Sequence, residues 1–166
     1  MHIIGIRIQA LIAPVRNGFD PSRGATGSGR ESRMSRKQVI AIVDDDELAR
    51  EGTIDLVKSM GFIAKAFGRA EDFLKSAYLH SSSCLITDVR MPGITGLELH
   101  RSLVESGNMT PTILITAFPN DRDRARAREA GAICYLAKPF RDEELLACVR
   151  SALEPREAER NIQEEP

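Results

Sequence analysis

Five short, mostly apolar runs punctuate the chain at regular intervals: VIAIV (39–43), FIAKAF (62–67), CLITD (84–88), TILIT (112–116) and ICYLA (133–137). VIAIV has no polar member, so it reads as a strand covered on both faces, the pattern of a parallel sheet. The intervening stretches change to helical spacing. Thr53, Leu56, Val57 and Met60 fall on one stripe, and Gly61 is a suitable stop. AEDFLKSAY (70–78) is a short helix. GLELHRSLVES (96–106) offers Leu97, Leu99, Leu103 and Val104 for packing. DRDRARAREAG (121–131) is a helix closed by glycine, and DEELLACVRSAL (142–153) opens with the acids that a helix dipole favours. Strands alternating with helices require right-handed crossovers and a sheet with helices on both faces. The expected class is α/β, a (βα)5 three-layer sandwich.

The regular pattern occupies residues 37–154, long enough for a true core. Residues 1–36 contain six arginines and two acids, and the Gly-, Ser- and Arg-rich PSRGATGSGRESR has nothing to bury. This extension reads as disordered and basic. Met34 directly precedes the first strand and is a second candidate start, which would leave residues 1–33 untranslated. The opening apolar stretch fails as a signal peptide because Arg7 interrupts it and no basic region precedes it. Residues 155–166 read as a polar tail. No apolar run reaches the roughly 18 residues of a membrane span. The net charge of -1 argues against a whole-chain electrostatic hold on nucleic acid. A DNA-binding output module is not expected in the remaining length. Cys84, Cys134 and Cys148 show neither metal spacing nor an even framework, so all three are expected to be core-packing thiols in a reducing cytosol. Arg122, Arg124, Arg126 and Arg128 spread over more than one helix face among acids, and a solvated helix is expected there.

In an open parallel sheet, ligands sit outside the carboxyl ends of the strands. Asp44, Asp45 and Asp46 follow the first strand, Asp88 ends the third, Thr116 ends the fourth, and Lys138–Pro139 follow the fifth. If the first and third strands are neighbours, three carboxylates converge at one edge. A hard divalent cation such as Mg²⁺ would relieve their repulsion through oxygen ligands. Lys138 suits a phosphoryl oxygen and Thr116 can donate to another. Asp is also a known covalent nucleophile that forms aspartyl-phosphate. Asp46, one step beyond the acid pair, suits a helix N-cap.

VIAIVDDDELAR, LITDVRMPGITGLEL, ILITAF and YLAKPF together resemble the receiver domain of response regulators in two-component signalling. DVRMPGITG is especially similar to receivers of the nitrogen-fixation-regulator type. The resemblance implies the flavodoxin-like strand order 2-1-3-4-5. It implies Asp88 as phosphoacceptor, Asp45 as direct metal ligand, Asp44 as a ligand through water, and the Arg90 backbone carbonyl as a further ligand. Thr116 becomes the switch hydroxyl, Tyr135 the switch aromatic, Lys138 the phosphate-contacting amine, and Lys138–Pro139 a cis peptide. The implied cofactor is Mg²⁺. The implied partners are a sensor histidine kinase or histidine phosphotransfer protein and a downstream protein target, and a phosphorylation-dependent dimer is compatible with them. Neither DNA nor membrane is an expected partner. The expectation is a cytoplasmic single-domain regulator that catalyses only its own phosphorylation and dephosphorylation.

Three other readings compete with this one. A haloacid-dehalogenase-type phosphatase wants a second Asp two residues after its nucleophile, where this chain has Arg90. A flavodoxin-like FMN carrier sits poorly with acidic strand ends. A non-phosphorylated receiver scaffold has no need of so complete a set of site residues.

Overall fold

The computed structural model describes residues 37–154, so the expectations for residues 1–36 and 155–166 lie outside the described residues. Five strands form one parallel sheet: β1 (Val39–Val43), β2 (Ile63–Phe67), β3 (Cys84–Asp88), β4 (Thr112–Thr116) and β5 (Cys134–Ala137). Their spatial order is β2-β1-β3-β4-β5. The helices between and after them are α1 (Glu47–Ser59), α2 (Ala70–Leu74), α3 (Gly96–Glu105), α4 (Asp121–Glu129) and α5 (Asp142–Leu153).

The sheet explains its own sequence pattern. Ala41, Val43 and Leu85 point to one face, where Phe73, Leu74, Leu99 and Leu103 cover them. Ile40, Ile42 and Ile86 point to the other, with Ile113 and Ile115, beneath Val57, Leu145 and Val149. With both faces of β1, β3 and β4 buried, the period-2 alternation of a half-wet strand has no cause to appear. β2 lies on an edge, and Ile63 remains 37% exposed, which is why FIAKAF tolerates Lys65.

The helix starts have local causes. Asp46 is the N-cap of α1, its side chain accepting from the Ala49 backbone N–H at 3.0 Å. Thr95 and Glu98 form a reciprocal capping box on α3. Gly61, at φ 89°, takes the left-handed conformation that ends the α1 region. One element departs from expectation. The helix anticipated over 70–78 stops at Leu74, and a separate 3₁₀ turn covers Ala77–Leu79. Ser76 causes the break, because its hydroxyl turns back to the Phe73 carbonyl and also accepts from the Tyr78 N–H.

His100 is buried at the α3–α4 contact. Its Nε2 donates to the Ala130 carbonyl at 2.9 Å and braces the C-terminal end of α4. The four arginines of α4 are all exposed, as a solvated helix requires. No described helix is long and apolar enough to cross a membrane.

The cysteine expectation requires correction. Cys134 on β5 and Cys148 on α5 are joined in a disulfide, with Cα atoms 5.9 Å apart. Only Cys84 is a free, fully buried core thiol among the described residues. The missed signal was helical phase. Leu145, Cys148, Val149 and Ala152 form the buried stripe of α5, and that stripe belongs to the core cluster against which Cys134 packs.

Candidate functional site

The carboxyl ends of β1, β3, β4 and β5 lie side by side, and the sheet order sets which side chains meet. β1 pairs with β3 in register, Val43 opposite Thr87. The residues after them, Asp44 and Asp88, are therefore adjacent at the same edge. β5 is two strands from β3, yet its continuation returns across the edge. The Lys138 N–H donates to the Thr116 carbonyl at 2.8 Å, and the Lys138–Pro139 peptide is cis. From there the Lys138 side chain reaches both acids. Its Nζ is 2.7 Å from Asp88 Oδ2 and 2.9 Å from Asp44 Oδ2.

The second oxygen of each acid is held by backbone. Asp88 Oδ1 accepts from the Arg90 N–H at 2.8 Å, and Asp44 Oδ1 from the Asp46 N–H at 2.9 Å. Arg50, which sequence reasoning did not single out, donates from its guanidinium to the Asp44 carbonyl at 2.7 Å. It lies in the first turn of α1, six residues beyond Asp44, so only the path of the chain at the strand end brings the two together.

Burial sets the electrostatics. Asp88 is 8% exposed and Asp44 5%. Loss of water raises the Asp88 carboxyl above its ordinary range, against the pull of the Lys138 and Arg90 hydrogen bonds. Lys138 experiences the opposite competition. Burial would lower its ammonium, but the hydrogen bonds and charges of Asp88 and Asp44 outweigh that, and the net direction is upward. The amine is therefore held protonated between the two acids.

Of the three converging carboxylates predicted from sequence, two meet. Asp45 is exposed at the rim, and no group of three or more His, Cys, Asp or Glu side chains is drawn around one point among the described residues. The neighbouring donors are all oxygens, the chemistry that suits a hard cation, and Mg²⁺ needs only one or two carboxylates because it keeps several waters.

Thr116 is fully buried, and its hydroxyl accepts from the Phe118 N–H at 3.0 Å. Phe118 itself is 64% exposed. The Arg90 guanidinium lies 5.3 Å from its ring centroid. Tyr135 packs with Val89, Leu114 and Ala127 on the α4 side of the sheet. The Arg124 guanidinium lies 5.0 Å from its ring centroid, and its buried hydroxyl makes no hydrogen bond. The Arg124 contact was not predicted. The arginine run showed no preferred face, and only packing of α4 on β5 selects one member.

Gly96 completes the site from behind. The amino end of α3 approaches the end of β3 so closely that a Cβ there would strike the Asp88 carbonyl oxygen. The Gly96 N–H bonds the Val89 carbonyl at 2.9 Å. The turn after Asp88 is thus pinned by a glycine that permits backbone-to-backbone contact.

Known proteins resemble this chain in sequence and fold. A sequence model of the response regulator receiver domain matches residues 40–150. The response regulator protein TmoT of Ectopseudomonas mendocina is 41% identical over 125 residues, covering 75% of this chain and 57% of its own length. Nodulation protein W of Bradyrhizobium diazoefficiens is 37% identical over 140 residues, covering 82% of this chain and 62% of its own. The chain thus spans less than two thirds of the length of each of these relatives. The crystal structure of FixJ-N superposes with a TM-score of 0.65 at 31% identity, over 73% of this chain and 97% of that one. Five parallel strands in this order, the acid-rich carboxyl edge and the family match together place the chain in the response regulator receiver domain family of two-component signalling.

Proposed function

We propose that the chain accepts a phosphoryl group on Asp88 from a phosphohistidine of a sensor kinase or phosphotransfer protein, and signals through altered binding of a protein target. The observation that carries this reading is the Lys138 ammonium 2.7 Å from Asp88 Oδ2 at the open edge of the sheet. In the transfer, the P–N bond to the donor histidine breaks and a P–O bond to an Asp88 carboxylate oxygen forms. The imidazole nitrogen leaves with the electron pair. Lys138 then has a phosphoryl oxygen to neutralise in place of the carboxylate oxygen it already contacts.

Asp45 and Asp88, with the Arg90 carbonyl, would hold a hydrated Mg²⁺, and Asp44 would reach it through water. Once bound, the ion supplies positive charge to the transferring phosphoryl oxygens. Thr116 is one strand from Asp88, and its hydroxyl can exchange the Phe118 N–H for a phosphoryl oxygen. Tyr135 has an unbonded hydroxyl and a ring held by packing and by Arg124, which suits a residue with two packing states. The consequence would be felt on α4, β5 and α5. The chain acts on its own Asp88 and not as a multiple-turnover enzyme, and the reading assigns it to the cytoplasm, where phosphohistidine donors are made.

The deciding measurement is phosphorus labelling from a phosphorylated sensor kinase, or from acetyl phosphate, with and without Mg²⁺. Label that on the denatured chain survives mild acid but is lost in alkali, dependent on Mg²⁺ and absent from Asp88→Asn, is the expected result. Undiminished labelling of Asp88→Asn would overturn the assignment.

A further inference from the structure

The Cys134–Cys148 bond does not have the setting of a structural staple. Disulfides that hold small domains together compensate for a core too small to do so. Here the sheet is buried on both faces, and the two main core clusters extend across it. The bond joins a buried member of one cluster, Cys148, to a partly exposed residue at its margin, Cys134. β5 is the edge strand, has four residues, and every one of them is partly exposed. Its backbone pairs with β4 alone. The disulfide is a covalent tie from this strand to α5, and the tied residue is the immediate neighbour of Tyr135.

We infer that Cys134 and Cys148 are a reversible thiol–disulfide pair, through which a low-molecular-weight disulfide of the glutathione type sets the stiffness of the β5–α5 face. The two residues have unequal exposure. Cys134 is partly exposed, whereas Cys148 is 7% exposed, which makes Cys134 the entry point and Cys148 the resolving thiol. The Cys134 thiol loses its proton to solvent, and its thiolate attacks one sulfur of the small disulfide. A protein–small-molecule S–S bond forms, the original S–S bond breaks, and one thiolate leaves and is protonated. The Cys148 thiolate then attacks the Cys134 sulfur and expels the second small thiolate. Two protein thiols are oxidised to one disulfide, and one small disulfide is reduced to two thiols. Cys84 serves as an internal control, since burial pushes its thiol up to about 12 and keeps it unreactive.

The chemistry does not depend on the phosphoacceptor reading, and an Asp88→Asn chain should show it unchanged. The test is to equilibrate the full chain in glutathione redox buffers, quench with acid, and map the cysteines by mass spectrometry. Interconversion of the Cys134–Cys148 disulfide and dithiol across the series, with Cys84 reduced throughout, is the expected result. A Cys148→Ala chain should accumulate glutathione on Cys134. Amide hydrogen exchange supplies the second readout. On reduction, residues 134–137 and 142–153 should lose about tenfold more protection than β1 and β3, as a local loosening beyond the change in global stability requires. The inference is overturned if the pair stays oxidised in excess dithiothreitol, if no buffer oxidises it, or if reduction leaves exchange in β5 and α5 unchanged.

Discussion

Lys138 donates to two carboxylates at once, and neither acid has another cation on its side-chain oxygens among the described contacts. Replacing it with Met would leave Asp44 and Asp88 facing each other across a site with little water. Such a loss costs roughly 3–5 kcal/mol where a buried ion pair is broken. The Lys138 side chain is 23% exposed, so water can partly re-solvate the acids, and a penalty of about 1–3 kcal/mol is expected. Lys138→Met should therefore lower the urea midpoint at neutral pH, and Lys138→Arg should recover part of the loss by keeping the charge. Equal midpoints for Met and wild type would show that the amine does not hold the acids together. At this scale most of the site was readable before folding, because Asp44, Asp88, Thr116 and Lys138 each end or directly follow an apolar run. That Asp44 turns inward while its neighbour Asp45 stays exposed at the rim is not a matter of composition, because adjacent residues leave a strand end in different directions.

The amino end of α3 is held against β3 by two devices, the Thr95–Glu98 capping box and the absence of a side chain at Gly96. A methyl group at residue 96 would meet backbone, which cannot swing aside as a long side chain could. Gly96→Ala should destabilise the domain by about 1–3 kcal/mol, the range for overpacking a filled site. The urea midpoint should fall with the slope unchanged. Because the displaced atoms belong to residue 88, phosphoryl uptake on Asp88 should fall more steeply than stability. A loss of stability with full uptake would mean that the turn relaxes without moving the acid. The elements were largely legible from apolar spacing and caps, since both are local properties. Where the reading failed, over 70–78, a single serine hydroxyl competed for backbone groups that a helix would have used. The requirement for glycine at residue 96 has its cause in the path of residues 88–89, which no local pattern records.

Across the whole molecule, the disulfide links the last strand to the last helix over a sequence separation of 14. Closing a loop of that size stabilises a domain by roughly 3 kcal/mol when the unfolded chain is the one restrained. Chemical reduction should accordingly lower the urea midpoint while leaving a folded, cooperative protein, measured by circular dichroism at equal protein concentration. An unfolded reduced chain would make the bond a condition of folding and not an adjustable tie. The layered α/β class, the five strands, the acid edge and the family resemblance were all present in the linear order of residues. The cause is that burial on both faces of a sheet demands unbroken apolar runs, and ligand chemistry at strand ends demands particular side chains at their last positions. The tertiary structure alone decided which acids share Lys138, which arginine meets Tyr135, and which two of three cysteines are bonded. Those are questions of distance between segments far apart in the chain, and such distances exist only once the sheet order and the helix phases are set.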